Sequence, residues 1–316
     1  MKRIITKNWL PLMVTFFLAF SLTLVGAQVF KTFWHNSQVE ETAAPSPDAA
    51  EGSKNNIGDP QAKTEVGTFI DLQPLIDNWV QETLAGNRNR EIGLMIYDLD
   101  HNQVAASYNA DTTFSADSVY KLIFAYDGYR QIDQGLKIAN ELYANTGDRG
   151  RLTYGECLDL MVRESYSPCA DFMRNDKEIY ERIEKFTSEL DLKNTSDAGL
   201  YSTPADLVKF LRYLYQHPDL SESSWQKLAD SMLNQPATSY DWRQGLPAGF
   251  NQAKVYNKVG WLSERGYWAE YNDVAILDFS NLNRHYAIVV MTEGLPNTTA
   301  LVTLGNRLEE TIMSAE

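Results

Sequence analysis

The chain is poor in the residues that build metal centres and disulfide scaffolds. Its 316 residues hold two cysteines and four histidines. These are scattered, with no zinc-ligand spacing, so metal catalysis and a cysteine-rich framework are both unexpected, and no cofactor is expected. A basic stripe is missing as well. Lysine and arginine total 28 against 42 acids, for a formal charge of −14. Phosphate binding needs the opposite balance, which argues against a nucleic-acid partner. No internal repeat is visible. What is there is an ordinary globular composition, 44% hydrophobic and 22% charged with 18 Gly and 11 Pro. That is too apolar for a disordered chain and long enough to bury a core unaided.

The charge is unevenly placed. Residues 1–34 carry Lys2, Arg3, Lys7 and Lys31 and no acid, so residues 35–316 hold 24 bases against 42 acids, or −18. Trp9 to Phe30 is a 22-residue stretch without a charged side chain. Roughly 20 apolar residues cross a ~30 Å hydrocarbon layer, and the basic flank keeps the N-terminus cytoplasmic. An uncleaved anchor over 9–30 fits that length better than a signal peptide cut at Val25-Gly26-Ala27, and the flank disfavours a core helix. Residues 31–68 mix Pro, Ala, Glu, Asp and Gly with few large apolar residues and read as a disordered linker. The expected organisation is a cytoplasmic N-terminus (1–8), a membrane anchor or signal segment (9–30), the linker (31–68) and an extracytoplasmic domain (69–316). Residues 9–30 would make the membrane a partner and the protein a single-pass cell-membrane protein, with secretion after cleavage near Ala27 as the alternative.

Within the domain, apolar spacing predicts a helix over 72–84. Strand-like runs at 92–98 and 103–108 are joined by a turn rich in Asp and Asn. Helical patterns follow at about 118–133, 152–163, 168–190, 204–216 and 223–233. Strand patterns return at 253–259, 268–279 and 285–291, and a last amphipathic helix covers 299–314. This order suggests an α/β (α+β) domain: an antiparallel five-stranded sheet flanked by helices, with an inserted helical lobe and a cleft between.

Ser118-Val-Tyr-Lys121 stands where a helix should begin. At i and i+3 the hydroxyl and the amine share one helical face. Serine needs a neighbouring base, and a lysine can serve when burial or nearby positive charge keeps it partly neutral. A helix N-terminus adds N–H groups suited to an oxyanion. Ser224 and Lys227 repeat the spacing in the polar part of another helix and read as solvated surface. Ser165-Tyr-Ser167 is a hydroxyl-rich turn between helices, placed for a second proton-relay serine. Lys258-Val-Gly260 ends a strand, with a fixed charge and a glycine that permits close backbone approach.

These three pieces, in this order, resemble the penicillin-recognising serine enzymes, specifically the class A β-lactamase-related S-x-x-K family with its S-x-x-K, S-D-N and K-T-G motifs. Phe114–Ile123, Leu152–Ser165, Gly245–Gly249 and Asn257–Trp261 carry the likeness over nearly the whole domain. The resemblance implies a β-lactamase/transpeptidase-like fold with Ser118 as acylated nucleophile and Lys121 as base or proton relay. Ser165 would pass a proton to the leaving nitrogen, Lys258 would set the electrostatics, and the backbone N–H groups of Ser118 and Trp261 would form the oxyanion hole. Ser167, Val259 and Gly260 fall at substrate-binding positions.

The departures are specific. Tyr166 and Ser167 replace Asp and Asn of S-D-N, and Val259 replaces a hydroxyl residue. Asn194 stands where the family's deacylating glutamate belongs, and a carboxamide accepts no proton at neutral pH. Asp197, three residues on, is a candidate substitute. The expected function is a serine hydrolase acting on β-lactams or cell-wall peptide amides with impaired deacylation. The alternative is a non-catalytic, membrane-tethered protein that binds cell-wall peptide or peptidoglycan in the same cleft. Cys157 and Cys169 would lie ~18 Å apart on one unbroken helix, but the Ser-Tyr-Ser-Pro turn breaks it; a disulfide and two buried thiols both remain open.

Overall fold

The computed structural model describes residues 67–87, 89–235, 243–264 and 267–315. All lie within one unit, Ala62–Glu316. In chain order come α1 (Gln73–Leu84), β1 (Glu91–Asp98), β2 (Gln103–Tyr108) and β3 (Phe114–Ser115). A 3-10 turn at Asp117–Val119 leads into α2 (Tyr120–Asp133). Next are β4 (Leu142–Asn145), β5 (Arg151–Thr153), α3 (Tyr154–Arg163), α4 (Ser167–Asn175) and α5 (Lys177–Glu189). The chain continues through β6 (Tyr201–Ser202), α6 (Pro204–Gln216), α7 (Glu222–Leu233), β7 (Lys254–Glu264), β8 (Tyr267–Phe279), β9 (Arg284–Glu293) and α8 (Thr299–Ser314).

Five strands pair antiparallel in the order β2-β1-β9-β8-β7, so the first hairpin closes against the last strand. Side-chain alternation divides the core between the two faces of this sheet. Tyr286, Ile288 and Val290 of β9 pack with Ile76 and Trp79 of α1 and Leu304 and Leu308 of α8. Ala287, Val289 and Met291 pack instead with Ile123, Phe124 and Phe210 of the helical lobe. Burying each large apolar side chain contributes ~2 kcal/mol. The expected α/β architecture, with its five-stranded antiparallel sheet and flanking helices, is the one observed.

Three details differ from the sequence reading. The helix expected over 168–190 is two helices, because Asp176 adopts extended backbone and caps α5, accepting from the N–H groups of Glu178 (3.0 Å) and Ile179 (3.3 Å). The helix expected from 152 starts at Tyr154, where Thr153 and Glu156 form a reciprocal capping box. Two small ribbons, β4–β5 and β3–β6, were not expected at all.

The membrane expectation is corrected. No helix among the described residues is long and apolar enough to cross a membrane. The 9–30 segment on which that expectation rested, with its cleavage site near Ala27, lies outside the described residues, as does most of the 31–68 linker. The anchor, the membrane as partner and the single-pass location are therefore set aside.

Candidate active site

Ser118 lies on the 3-10 turn that opens into α2, and several contacts fix that turn. Phe114 pairs with Ser202, and the Ala116 N–H donates to the Leu200 carbonyl at 2.7 Å. From β8, the buried Asn272 donates Nδ2 to the Ser115 carbonyl (2.8 Å) and to Asp117 Oδ2 (3.2 Å). Asp117 takes a left-handed backbone, φ 49°, immediately before Ser118. The Asp117 carboxyl also accepts from the Ser115 hydroxyl at 2.8 Å, and burial raises its pKa. Strand β7 presses against this turn at Gly260, where an added Cβ would sit 2.2 Å from the Ala116 carbonyl oxygen. Only glycine permits that approach.

Lys121, in the first turn of α2, is 1% exposed. Its Nζ donates to the Ser165 carbonyl (2.6 Å) and Ser167 Oγ (2.9 Å), with Ser165 Oγ at 3.5 Å. Burial lowers its pKa to about 8, against an opposing pull from the Asp171 carboxylate. Lys258, also buried, donates to Ser165 Oγ (2.9 Å) and to the Val259 carbonyl (2.7 Å). Its pKa is held well below the ordinary value, by burial first and then by the charge of Lys121. Two amines thus converge on the hydroxyl of Ser165. Among the described residues, the Ser118 hydroxyl makes no hydrogen bond with Lys121, whose contacts go to the Ser165–Ser167 turn.

That turn is built from α3 and α4. Ser165 sits at φ 55°, and the Tyr166 N–H donates to the Leu160 carbonyl (3.1 Å). A disulfide joins Cys157 of α3 to Cys169 of α4, Cα to Cα 5.3 Å, which answers the question left open by the sequence. The ring of Tyr166 is stapled from outside: its hydroxyl bonds Asp148, and the Arg149 guanidinium, paired with Glu164, lies 4.7 Å from the ring centroid. Both partners sit between β4 and β5, the ribbon that the sequence reading missed. Among the described residues no group of three or more His, Cys, Asp or Glu could hold a metal ion.

A family model described as the β-lactamase enzyme family matches residues 75–314. The chain belongs to the β-lactamase enzyme family. Solved structures agree on the fold. A β-lactamase from Chitinophaga pinensis superposes with a TM-score of 0.62 at 18% identity, covering 76% of this chain and 98% of that one. A class A β-lactamase representative from Bacteroides cellulosilyticus gives 0.63 at 15% identity, with 77% and 98% covered. A variant of PBP-A in an acyl-enzyme complex with penicillin G gives 0.62 at 18% identity, with 76% and 97% covered. Comparison with curated proteins finds no match.

The positions where this β-lactamase family member departs from the motifs have definite surroundings. Val259 pairs with Asp273 across β7–β8 and shares its sheet face, opposite that of Lys258 and Gly260. Its side chain is buried there, and only its carbonyl reaches the amine cluster. Asn194 is exposed, and its N–H donates to Asp206 Oδ2 at 2.7 Å. No hydrogen bond among the described residues links it to Ser118, Lys121 or Ser165. The Asp197 carboxylate accepts from Arg174 Nη2 (2.9 Å) and the Tyr180 hydroxyl (3.2 Å). Ser224 is buried rather than solvated, and its hydroxyl donates to Asp133 at 2.8 Å. Sequence reasoning missed Asn272, which has no motif, and Asp171. One signal for Asp171 was present: it follows Ser167 by four residues on one helix, hence on the same face.

Proposed function

We propose that residues 69–316 form an acyl-transfer domain in which Ser118 is acylated by β-lactams or by cell-wall peptide amides and releases the acyl group slowly. In this reading the Ser118 Oγ attacks the carbonyl carbon as Lys121 takes its proton. The N–H groups of Ser118 and Trp261 hold the developing oxyanion. The C–N bond then breaks as a proton passes through the Ser165 hydroxyl to the leaving nitrogen, and Lys258 stabilises the negative charge that builds up. Hydrolysis of the ester needs a general base for water, which is worth about 10²–10⁴ in rate. Asn194 cannot be that base, and the Asp197 carboxylate is engaged by Arg174 and Tyr180.

The observation that carries this reading is the hydroxyl of Ser165 between the amines of Lys121 and Lys258. Buried amines with lowered pKa values, gathered at one hydroxyl, are suited to proton transfer near neutral pH. Incubation with a labelled penicillin followed by intact-mass spectrometry tests it. A long-lived adduct that is lost in Ser118→Ala is expected. Rapid turnover without adduct overturns the slow release, and an adduct retained in Ser118→Ala overturns the assignment of Ser118.

A second reading keeps the cleft and drops the chemistry: a protein that binds cell-wall peptide without acylation. It is favoured by the Lys121 amine, which bonds Ser165 and Ser167 rather than Ser118. It predicts no adduct with penicillins or fluorophosphonates, together with saturable binding of cell-wall peptides. Binding is common to both readings; covalent labelling separates them.

A further inference from the structure

Beside the Ser165–Ser167 turn the surface opens into a cavity of about 570 Å³. Asn145 and Thr146 from the end of β4 form one wall. The outward face of α4, with Pro168, Asp171 and Phe172, forms the other. Pro168 directly follows Ser167, whose hydroxyl lies 2.9 Å from the Lys121 amine, so the cavity adjoins the candidate active site. Phe172 is 43% exposed and lines this cavity. An aromatic face in a concave site suits an apolar or cationic occupant.

The carboxylates of the cavity are not equivalent. Asp176 is engaged in capping α5. Asp171 has no hydrogen bond or ion pair among the described residues, and its charge is felt by Lys121 and Tyr120. Of the cations near it, Lys121 bonds the Ser165–Ser167 turn, and Arg174 is paired with Asp197 at 2.9 Å and lies 5.2 Å from the Tyr120 ring centroid. The cavity therefore offers a free negative charge, an aromatic face and the polar edge of Asn145 and Thr146. An aliphatic chain ending in a protonated amine matches all three: methylenes and ammonium against Phe172, ammonium beside Asp171.

We propose that this cavity is a subsite for the side chain of a diamino acid residue in a peptide ligand, with Asp171 holding the ammonium and Phe172 the stem. The proposal deepens the cell-wall-peptide reading and rests on it for the peptide, but not for the subsite itself. Occupancy also has a consequence for Lys121, which faces Asp171 from α4 and Lys258 from β7. Asp171 favours the protonated form of Lys121. A cation seated beside Asp171 cancels that pull, so a bound amine makes Lys121 a readier base.

Equilibrium dialysis of Nα-acetyl-lysinamide against Nα-acetyl-norleucinamide tests the subsite on the whole chain. The lysine compound should bind about fivefold tighter, the range set by one exposed ion pair with a cation–π contact. Asp171→Asn should abolish that preference, Asp171→Glu should keep most of it, and Phe172→Ala should weaken both ligands. Equal binding of the two compounds, or a preference that survives Asp171→Asn, overturns the proposal. Asp171 is exposed, so unchanged thermal melting is expected to show each Asp171 variant folded. A second arm uses labelled penicillin with Nα-acetyl-lysinamide at saturation, where the alkaline rise of Ser118 labelling should move to lower pH. If penicillin leaves no adduct while the lysine preference stands, the acyl-transfer reading fails and the subsite does not.

Discussion

Lys121 and Lys258 share one hydroxyl: their amines lie 3.5 and 2.9 Å from Ser165 Oγ. Burial disfavours the protonated form of both, and the charge of Lys121 disfavours that of Lys258 further. The pair thus keeps an uncharged amine within reach at pH values where an exposed lysine would stay protonated. Acylation of Ser118 should follow the neutral form of Lys121. With the Lys121 pKa at about 8, the labelling rate should fall tenfold per unit as pH drops below 8 and level off above it. Lys121→Ala should lose at least about 10² in rate. Pre-steady-state labelling with penicillin between pH 6 and 9.5 measures this; a flat profile would argue against Lys121 as the base.

Gly260 makes a sharp steric prediction. A methyl group there meets the Ala116 carbonyl oxygen at 2.2 Å, and backbone cannot swing aside as a side chain can. Gly260→Ala should push β7 away from the turn that carries Ser118. Overpacking of this kind costs about 1–3 kcal/mol, while the loss of labelling should be far larger than that destabilisation explains. Urea denaturation and adduct formation on the same sample compare the two effects.

Asp273 predicts a pH dependence of stability. It is fully buried on β8, accepts from Asn257 Nδ2 at 2.9 Å, and burial raises its pKa from 3.8 to about 7. The folded protein therefore binds this proton more tightly than the unfolded chain does. The contribution is complete below pH 4, declines as pH rises from 4 to 7, and is gone above that. The span corresponds to on the order of 4 kcal/mol. Asp273→Asn should remove most of this slope, as read from urea midpoints between pH 4 and 8; an unchanged slope would assign the pH dependence to other groups.

The Cys157–Cys169 bridge closes a short loop, sequence separation 12, around the Ser165 turn. A loop of this size is worth about 3 kcal/mol through the unfolded state. The double variant Cys157→Ala/Cys169→Ala should lower the urea midpoint accordingly, and it should slow labelling of Ser118 more than a remote destabilising variant of equal cost does.

The long amphipathic helices and the five sheet strands were legible because each carries its period over many residues. Ser118, Lys121, Ser165 and Lys258 stood out by their spacing in the chain, and of these Lys121, Ser165 and Lys258 meet in the structure. The β4–β5 ribbon was not, since two strands of four and three residues carry too little alternation to register. Asp176 was not, because an aspartate that ends one helix and caps the next resembles any polar residue inside a long one. Asn272 acts through contacts between distant segments, with Ser115 across 157 positions. No local pattern announces it, whereas Asp171 shares a helix face with Ser167. Val259 replaces a hydroxyl residue of the motif, and only the strand register shows that its side chain lies on the sheet face opposite Lys258 and Gly260.

The bridge between α3 and α4 also makes the Ser165–Ser167 segment part of a closed covalent macrocycle. A thiol reductant would open that ring without touching Ser118, Lys121 or Lys258. The hydroxyl on which both amines converge would then be held by packing and hydrogen bonds alone, and its position would inherit the redox history of the chain.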